Sequence, residues 1–175
     1  EDYRQMHVSR RDLGGGVVLA QIHDLDYAYS LFGIPRRVFA MGGHLSRLSV
    51  DVEDTASILM ECVADGRGFP VHLHQDCLRR PPTRSCEVIG DAGTILLDLQ
   101  AQAVAISDGT GRLVETHSFD GHDRNQLFLD ELDHFLACLR GDQQPIVGVR
   151  DATVSLRMAV AARESMETGR PVHLE

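Results

Sequence analysis

Three stretches of this chain carry side chains or backbone that could do chemistry. In the segment from Gly14 to Gly33, His23, Asp26 and Tyr27 stand at i, i+3 and i+4. That spacing places all three on one face of a helix. A carboxylate that bonds an imidazole fixes its tautomer and aims the other ring nitrogen at a hydroxyl. Gly16 and Ala20 fall on the same side, so a lane of small residues leads to the imidazole. The competing reading is a histidine satisfied at a helix–sheet contact, and spacing does not separate the two.

The second stretch is Gly14-Gly15-Gly16. A dinucleotide fingerprint needs G-x-G-x-x-G between a strand and a helix. Position 19 is Leu, and residues 10–13 make no convincing strand. The triplet is therefore not a pyrophosphate loop. Glycines before a helix either offer free N–H groups to a ligand oxygen or let the helix start pack closely on a neighbour. Both readings stand. The third stretch is His72, His74 and Asp76, which alternate and so share one face of a strand. A metal there would need His44, His117 or His122, none at a diagnostic spacing. No metal is assigned, and these residues read as the polar edge of a cleft or a solvated face. There is no Gly-x-Ser-x-Gly elbow and no Lys at all. A mechanism that needs an ammonium acid is not complete in this chain.

The elements that must hold these groups follow from periodicity. Residues 16–32 read as one helix, stopped by Gly33 with Pro35 beyond. From Arg36 to Phe119 the chain reads as strands. Ala56, Ile58, Met60 and Cys62 alternate with Thr55, Ser57, Leu59 and Glu61, the period of a half-buried strand. Asp65-Gly66, Gly90–Gly93 and Asp108-Gly109 mark hairpins. Phe128, Leu132, Phe135, Leu136 and Leu139 line one face of a helix closed by Gly141. A further helix runs over 151–168, with Val172–Leu174 as a last strand. Strands followed by helices predict an α+β fold: an open, mainly antiparallel sheet with helices packed on one face and no Rossmann domain. Residues 1–175 read as a single domain.

Composition narrows the classes. With 17 Arg and 26 acidic residues the net charge is −9, and the basic pairs are scattered, which argues against a nucleic-acid surface. No apolar run is long enough to cross a membrane. Cys62, Cys77, Cys86 and Cys138 form no C-x-x-C pair and read as reduced thiols of a cytoplasmic protein. A start at Glu1 rather than Met reads as a cut end. At 175 residues there is room for a cofactor domain or a substrate domain of ordinary size, not both.

The order of features is specific. Tyr3-Arg4 and Arg10-Arg11-Asp12 lead into the glycine triplet, then His23-x-x-Asp26 follows. "VEDTASILMEC" and "EVIGDAGTILLDL" come next, and "ESMETGR" closes the last helix. Over residues 3–174 this resembles the C-terminal domain of the Gfo/Idh/MocA oxidoreductases, the glucose–fructose oxidoreductase and inositol dehydrogenase family. The resemblance implies a separate Rossmann domain holding NAD or NADP and supplying a catalytic Lys, with no cofactor bound to this chain. It implies a sugar, polyol or nucleotide-sugar substrate, and a homodimer or tetramer built through the open sheet face. By motif match His23 is the residue at the reacting hydroxyl and Asp26 supports its helix face. Arg11, Gly15, Gly16, Tyr27 and His74 are the candidate substrate contacts. One departure stands out: relatives often carry an Asp three or four residues before the His, where this chain has Ala20 and Leu19. A stand-alone sugar-binding or dimerisation module is the alternative.

Overall fold

A computed structural model describes residues 2–121 and 123–174. After three short 3-10 turns the chain forms α1 (Val17–Ala20), α2 (His23–Phe32), β1 (Arg37–Gly43), β2 (Thr55–Ala64) and β3 (Arg67–Asp76). It continues through β4 (Ser85–Gly90), β5 (Gly93–Asp98), β6 (Ala103–Asp108), β7 (Leu113–Ser118) and α3 (Arg124–Arg140). α4 (Val149–Thr168) and β8 (Val172–His173) complete it.

The strands make two antiparallel four-stranded sheets, ordered β3-β2-β1-β8 and β4-β5-β6-β7, where one open sheet was expected. Pro81 and Pro82, which lack the N–H that a ladder needs, stand in the segment between β3 and β4. The two sheets belong to two compact units, one of Glu1–Leu78 with Val147–Glu175 and the other of Arg79–Ile146. Both sheets are open, and the fold is α+β.

In the first unit, alternation decides which face is covered. Ala56, Ile58, Met60 and Cys62 are each 1% exposed or less. They pack with Val17, Val18, Leu25 and Met158 from α1, α2 and α4. Each large aliphatic or Met side chain so buried contributes about 1.5–3 kcal/mol. The other face carries Phe39, Leu59 and His72, which lie opposite one another across β1, β2 and β3. Leu59 there is 48% and Met41 67% exposed. Ser165, in the "ESMETGR" stretch, ties α4 to the sheet: its Oγ accepts from Ala40 N at 2.9 Å and donates to Arg170 O at 2.7 Å.

The second unit is a meander, β4 to β7, followed by α3. The helix runs where its pattern predicts and stops at Gly141, but its apolar face stays exposed, with Phe128 58% and Leu139 69% accessible.

The loop between β1 and β2 is gathered onto one buried carboxylate. Asp54, 1% exposed, accepts from Leu45 N, Ser46 N, Ser46 Oγ and Thr55 Oγ1. Burial alone would raise its pKa. The bonds from Ser46, Leu45 and Thr55 outweigh burial and hold it below the ordinary value of 3.8. Between these two values the unfolded chain binds the extra proton, so stability is complete above about pH 4 and falls as pH drops through the folded value. Urea midpoints at neutral pH and at about pH 3 should therefore differ more in the native sequence than in Asp54→Asn. Equal drops would remove Asp54 from the acid response.

Candidate functional site

The helix expected over 16–32 is two helices. Gln21 leaves the helical region at φ −112°, ψ 34°, and α2 starts afresh at His23. The break has an identifiable partner. Gln75, on β3 and 2% exposed, donates from Nε2 to Gln21 O at 2.8 Å and to Asp24 Oδ2 at 3.2 Å. These two anchors bracket His23 in the chain. A carbonyl held by a side chain from another element is drawn out of the helical ladder, a known cause of sharp kinks.

His23 is thereby the first residue of α2, and it is exposed. Its ring makes no hydrogen bond to another described residue. α2 itself is clamped to α4. Asp26 Oδ1 accepts from Ser155 Oγ at 2.6 Å, and Tyr29 OH donates to Asp151 Oδ1 at 3.3 Å. Burial first, then the Asp151 carboxylate, pushes the Tyr29 phenol above its ordinary pKa of 10.0, so it stays a neutral donor. The result is an exposed imidazole on a rigid mount, able to meet a hydroxyl and exchange a proton with it.

Several expectations are corrected here. Asp26 bonds Ser155 rather than His23, so it anchors the helix and does not set the imidazole tautomer. The break at Gln21 separates Gly16 and Ala20 from the face of α2, so no continuous small-residue lane leads to His23. Tyr27 is exposed on α2 at 39%. His74 lies on the open sheet face, beside Asp76 Oδ2 at 3.4 Å, and α2 packs on the other face. Strand alternation gives the position next to the site to Gln75 instead. The sequence signal for Gln75 was its place in the β3 period, inward among polar neighbours. His72 bonds Ser57 Oγ at 2.8 Å. Among the described residues no group of three His, Cys, Asp or Glu is placed to hold a metal; His122 lies outside them.

The glycine turn is a packing device. Gly14 N donates to Arg11 O, Gly15 N to Arg10 O, Gly16 N to Val8 O and Val17 N to Glu53 O, at 2.8–3.1 Å. Gly15 and Gly16 are buried, and a Cβ on Gly15 would lie 2.5 Å from His7 O. A Cβ on Gly16 would overlap the Glu53 carboxylate. With these N–H groups taken by protein carbonyls, the turn does not fit a dinucleotide pyrophosphate. Arg11 is held by Asp51: its N donates to Oδ1 at 2.8 Å and its Nε to the carbonyl at 3.1 Å.

The model of the oxidoreductase family C-terminal alpha/beta domain, Gfo/Idh/MocA type, matches residues 8–174. The chain belongs to the Gfo/Idh/MocA oxidoreductase family. This C-terminal domain is 34% identical over 90 residues to scyllo-inositol 2-dehydrogenase (NAD(+)) of Bacillus subtilis (strain 168), covering 51% of this chain and 26% of that protein. Its fold is that of UDP-N-acetylglucosamine 3-dehydrogenase GnnA from Acidithiobacillus ferrooxidans, at a TM-score of 0.73 and 22% identity over 90% of this chain and 49% of that one. It is also that of WlbA dehydrogenase from Bordetella pertussis, solved with NADH and UDP-GlcNAcA, at 0.62 and 22% over 92% of this chain and 46% of that one. The Gfo/Idh/MocA domain described here thus spans about half the length of these solved relatives.

Proposed function

We propose that this chain is the substrate-side domain of an NAD- or NADP-dependent dehydrogenase acting on a hydroxyl of a sugar, polyol or nucleotide sugar. The observation that carries the reading is His23, exposed and without a hydrogen bond to another described residue, at a helix break that Gln75 fixes. The similarity to an inositol dehydrogenase over 90 residues and the family match support the substrate class. The nicotinamide cofactor supplies the hydride exchange in such enzymes, and the glycine turn here does not fit its pyrophosphate. This chain's part is to bind and orient the substrate and to let His23 take or return the hydroxyl proton. The open face of the first sheet, with Met41 and Leu59 exposed, supports assembly into a homodimer or tetramer. No helix among the described residues is long and apolar enough to cross a membrane.

The complete protein should reduce NAD or NADP when supplied with inositols, free sugars or UDP-sugars, followed by absorbance of the reduced nicotinamide. This chain alone should neither bind NADH in a fluorescence titration nor turn over. Micromolar NADH binding by the chain alone, or no turnover by the complete protein with any of the three classes, would sink the reading.

A further inference from the structure

One of the four cysteines has a base turned toward it. Cys138 lies in the last turn of α3, and its Sγ is 3.6 Å from His134 Nε2, one turn earlier on the same helix. Two further contacts settle which ring nitrogen carries the hydrogen. The Ile146 N–H, which can only donate, reaches Nε2 at 3.3 Å. Nε2 is therefore the lone-pair nitrogen, and Nδ1 carries the hydrogen. Nδ1 in turn donates to Gln143 Oε1 at 2.7 Å. The three side chains are a nucleophile, a base facing it, and an acceptor that holds the base in the right tautomer. All belong to the second unit, where the chain leaves α3 at Gly141 and returns to His134.

The other thiols are placed differently. Burial pushes the Cys62 and Cys86 thiols above their ordinary range. Cys77 is exposed in the first unit. Cys138 is half-buried, and Phe135 and Leu139 beside it on α3 are 56% and 69% exposed, so a small reactant has access to this face. The C-terminal end of a helix disfavours an anion. Arg140 and Asp142, the charged residues that follow, bond each other at 2.9 Å. The charge that offsets a thiolate here is the imidazolium formed when His134 takes its proton.

We infer that Cys138 is a modification site, at which the thiol exchanges with low-molecular-weight disulfides and His134 serves as base. The S–H proton passes to His134 Nε2, which gives up its long bond from Ile146. The thiolate attacks one sulfur of the disulfide. A Cys138 S–S bond forms as the old S–S bond breaks, and the departing thiolate takes the proton back from His134. One thiol and one disulfide enter, and one of each leaves. Exchange needs only a thiolate and access to it, whereas acyl transfer also needs donors placed for an oxyanion. Gln143 acts through His134 and is a positioning residue. The site shares no residue with the dehydrogenase reading, and its test needs no turnover.

The probe is glutathione disulfide, with mixed-disulfide formation at each cysteine followed by peptide mass spectrometry of the chain. At neutral pH, Cys138 of the native chain should react about tenfold faster than the same residue in the chain unfolded in urea, where the base is no longer beside it. His134→Gln should slow Cys138 about tenfold or more, less than the ordinary range for a general base because solvent also takes a thiol proton. Gln143→Ala should slow it, and Gln143→Glu, which keeps an acceptor at Nδ1, should restore the rate. At about pH 10, above the ordinary thiol value of about 8.5, the native and His134→Gln rates should converge. Cys77 should respond to none of these variants. A native Cys138 that stays unmodified, or reacts no faster than in the unfolded chain, overturns the inference. So does a His134→Gln deficit that persists unchanged at high pH, which would mark a purely structural role. The comparison of native with unfolded chain decides the matter even if a variant fails to fold.

Discussion

Replacing His23 by Ala in the complete protein is expected to lower kcat/KM by about 10²- to 10⁴-fold, the range for removing a general acid–base. The side chain is exposed at the first position of α2 and makes no hydrogen bond to another described residue. The thermal midpoint should therefore stay close to that of the native sequence. Asp26→Ala is the contrast. It removes the acceptor of the 2.6 Å bond from buried Ser155, at a cost of about 1–3 kcal/mol, and should shift the midpoint more than it shifts chemistry. Steady-state kinetics beside thermal melts separate the two roles. A His23→Ala enzyme within about twofold of the native rate would take His23 out of the mechanism. An Asp26→Ala enzyme that melts normally but has lost its rate would return Asp26 to it.

The second large effect is on stability. Gly16→Ala should destabilise the chain by about 2 kcal/mol or more, for two independent reasons. Gly16 sits at φ 115°, ψ 150°, a region essentially reserved for glycine and costing about 1–3 kcal/mol for any other residue. Its new Cβ would also overlap the end of the Glu53 side chain, which must give up its buried place beside Arg163 to make room. Overpacking of that kind costs about 1–3 kcal/mol more. For a chain of this size the midpoint should fall by roughly 4–8 °C or more. Gly14→Ala is the control: at φ 77° it meets strain, but no atom lies within 4 Å of its Cβ. Its loss should be smaller. Equal losses at the two positions would show that the Glu53 contact contributes nothing.

How far the site was legible depends on which kind of interaction made it. The i, i+3, i+4 spacing found the helix that carries His23, because helical periodicity is local. It missed the break, because Gln21 is pulled out of register by Gln75, 54 residues further on. The same spacing suggested that Asp26 serves His23. Asp26 instead turns to Ser155 on α4, 129 residues away. On β3 the polar residues His72 and His74 drew attention as chemistry. Their alternation is local and shows in the sequence, but which face α2 covers is not written in it. Gln75, one position along, faces the helices.

The chain by itself determined the strands, their hairpin turns, the stops at Gly33 and Gly141 and the family, through turn chemistry, hydrophobic period and motif order. All of these act over a few residues or repeat along the chain. Tertiary structure decided the rest: the split into two sheets, the break before His23, the use of every N–H in the glycine turn, and the burial of Glu53 against Gly16. Each of these is a contact between residues distant in sequence, or the outcome of competition for one donor. The glycine triplet shows the difference most plainly. Its spacing allowed both a ligand loop and a close-packed turn, and only the positions of Val8, Arg10, Arg11 and Glu53 selected the turn.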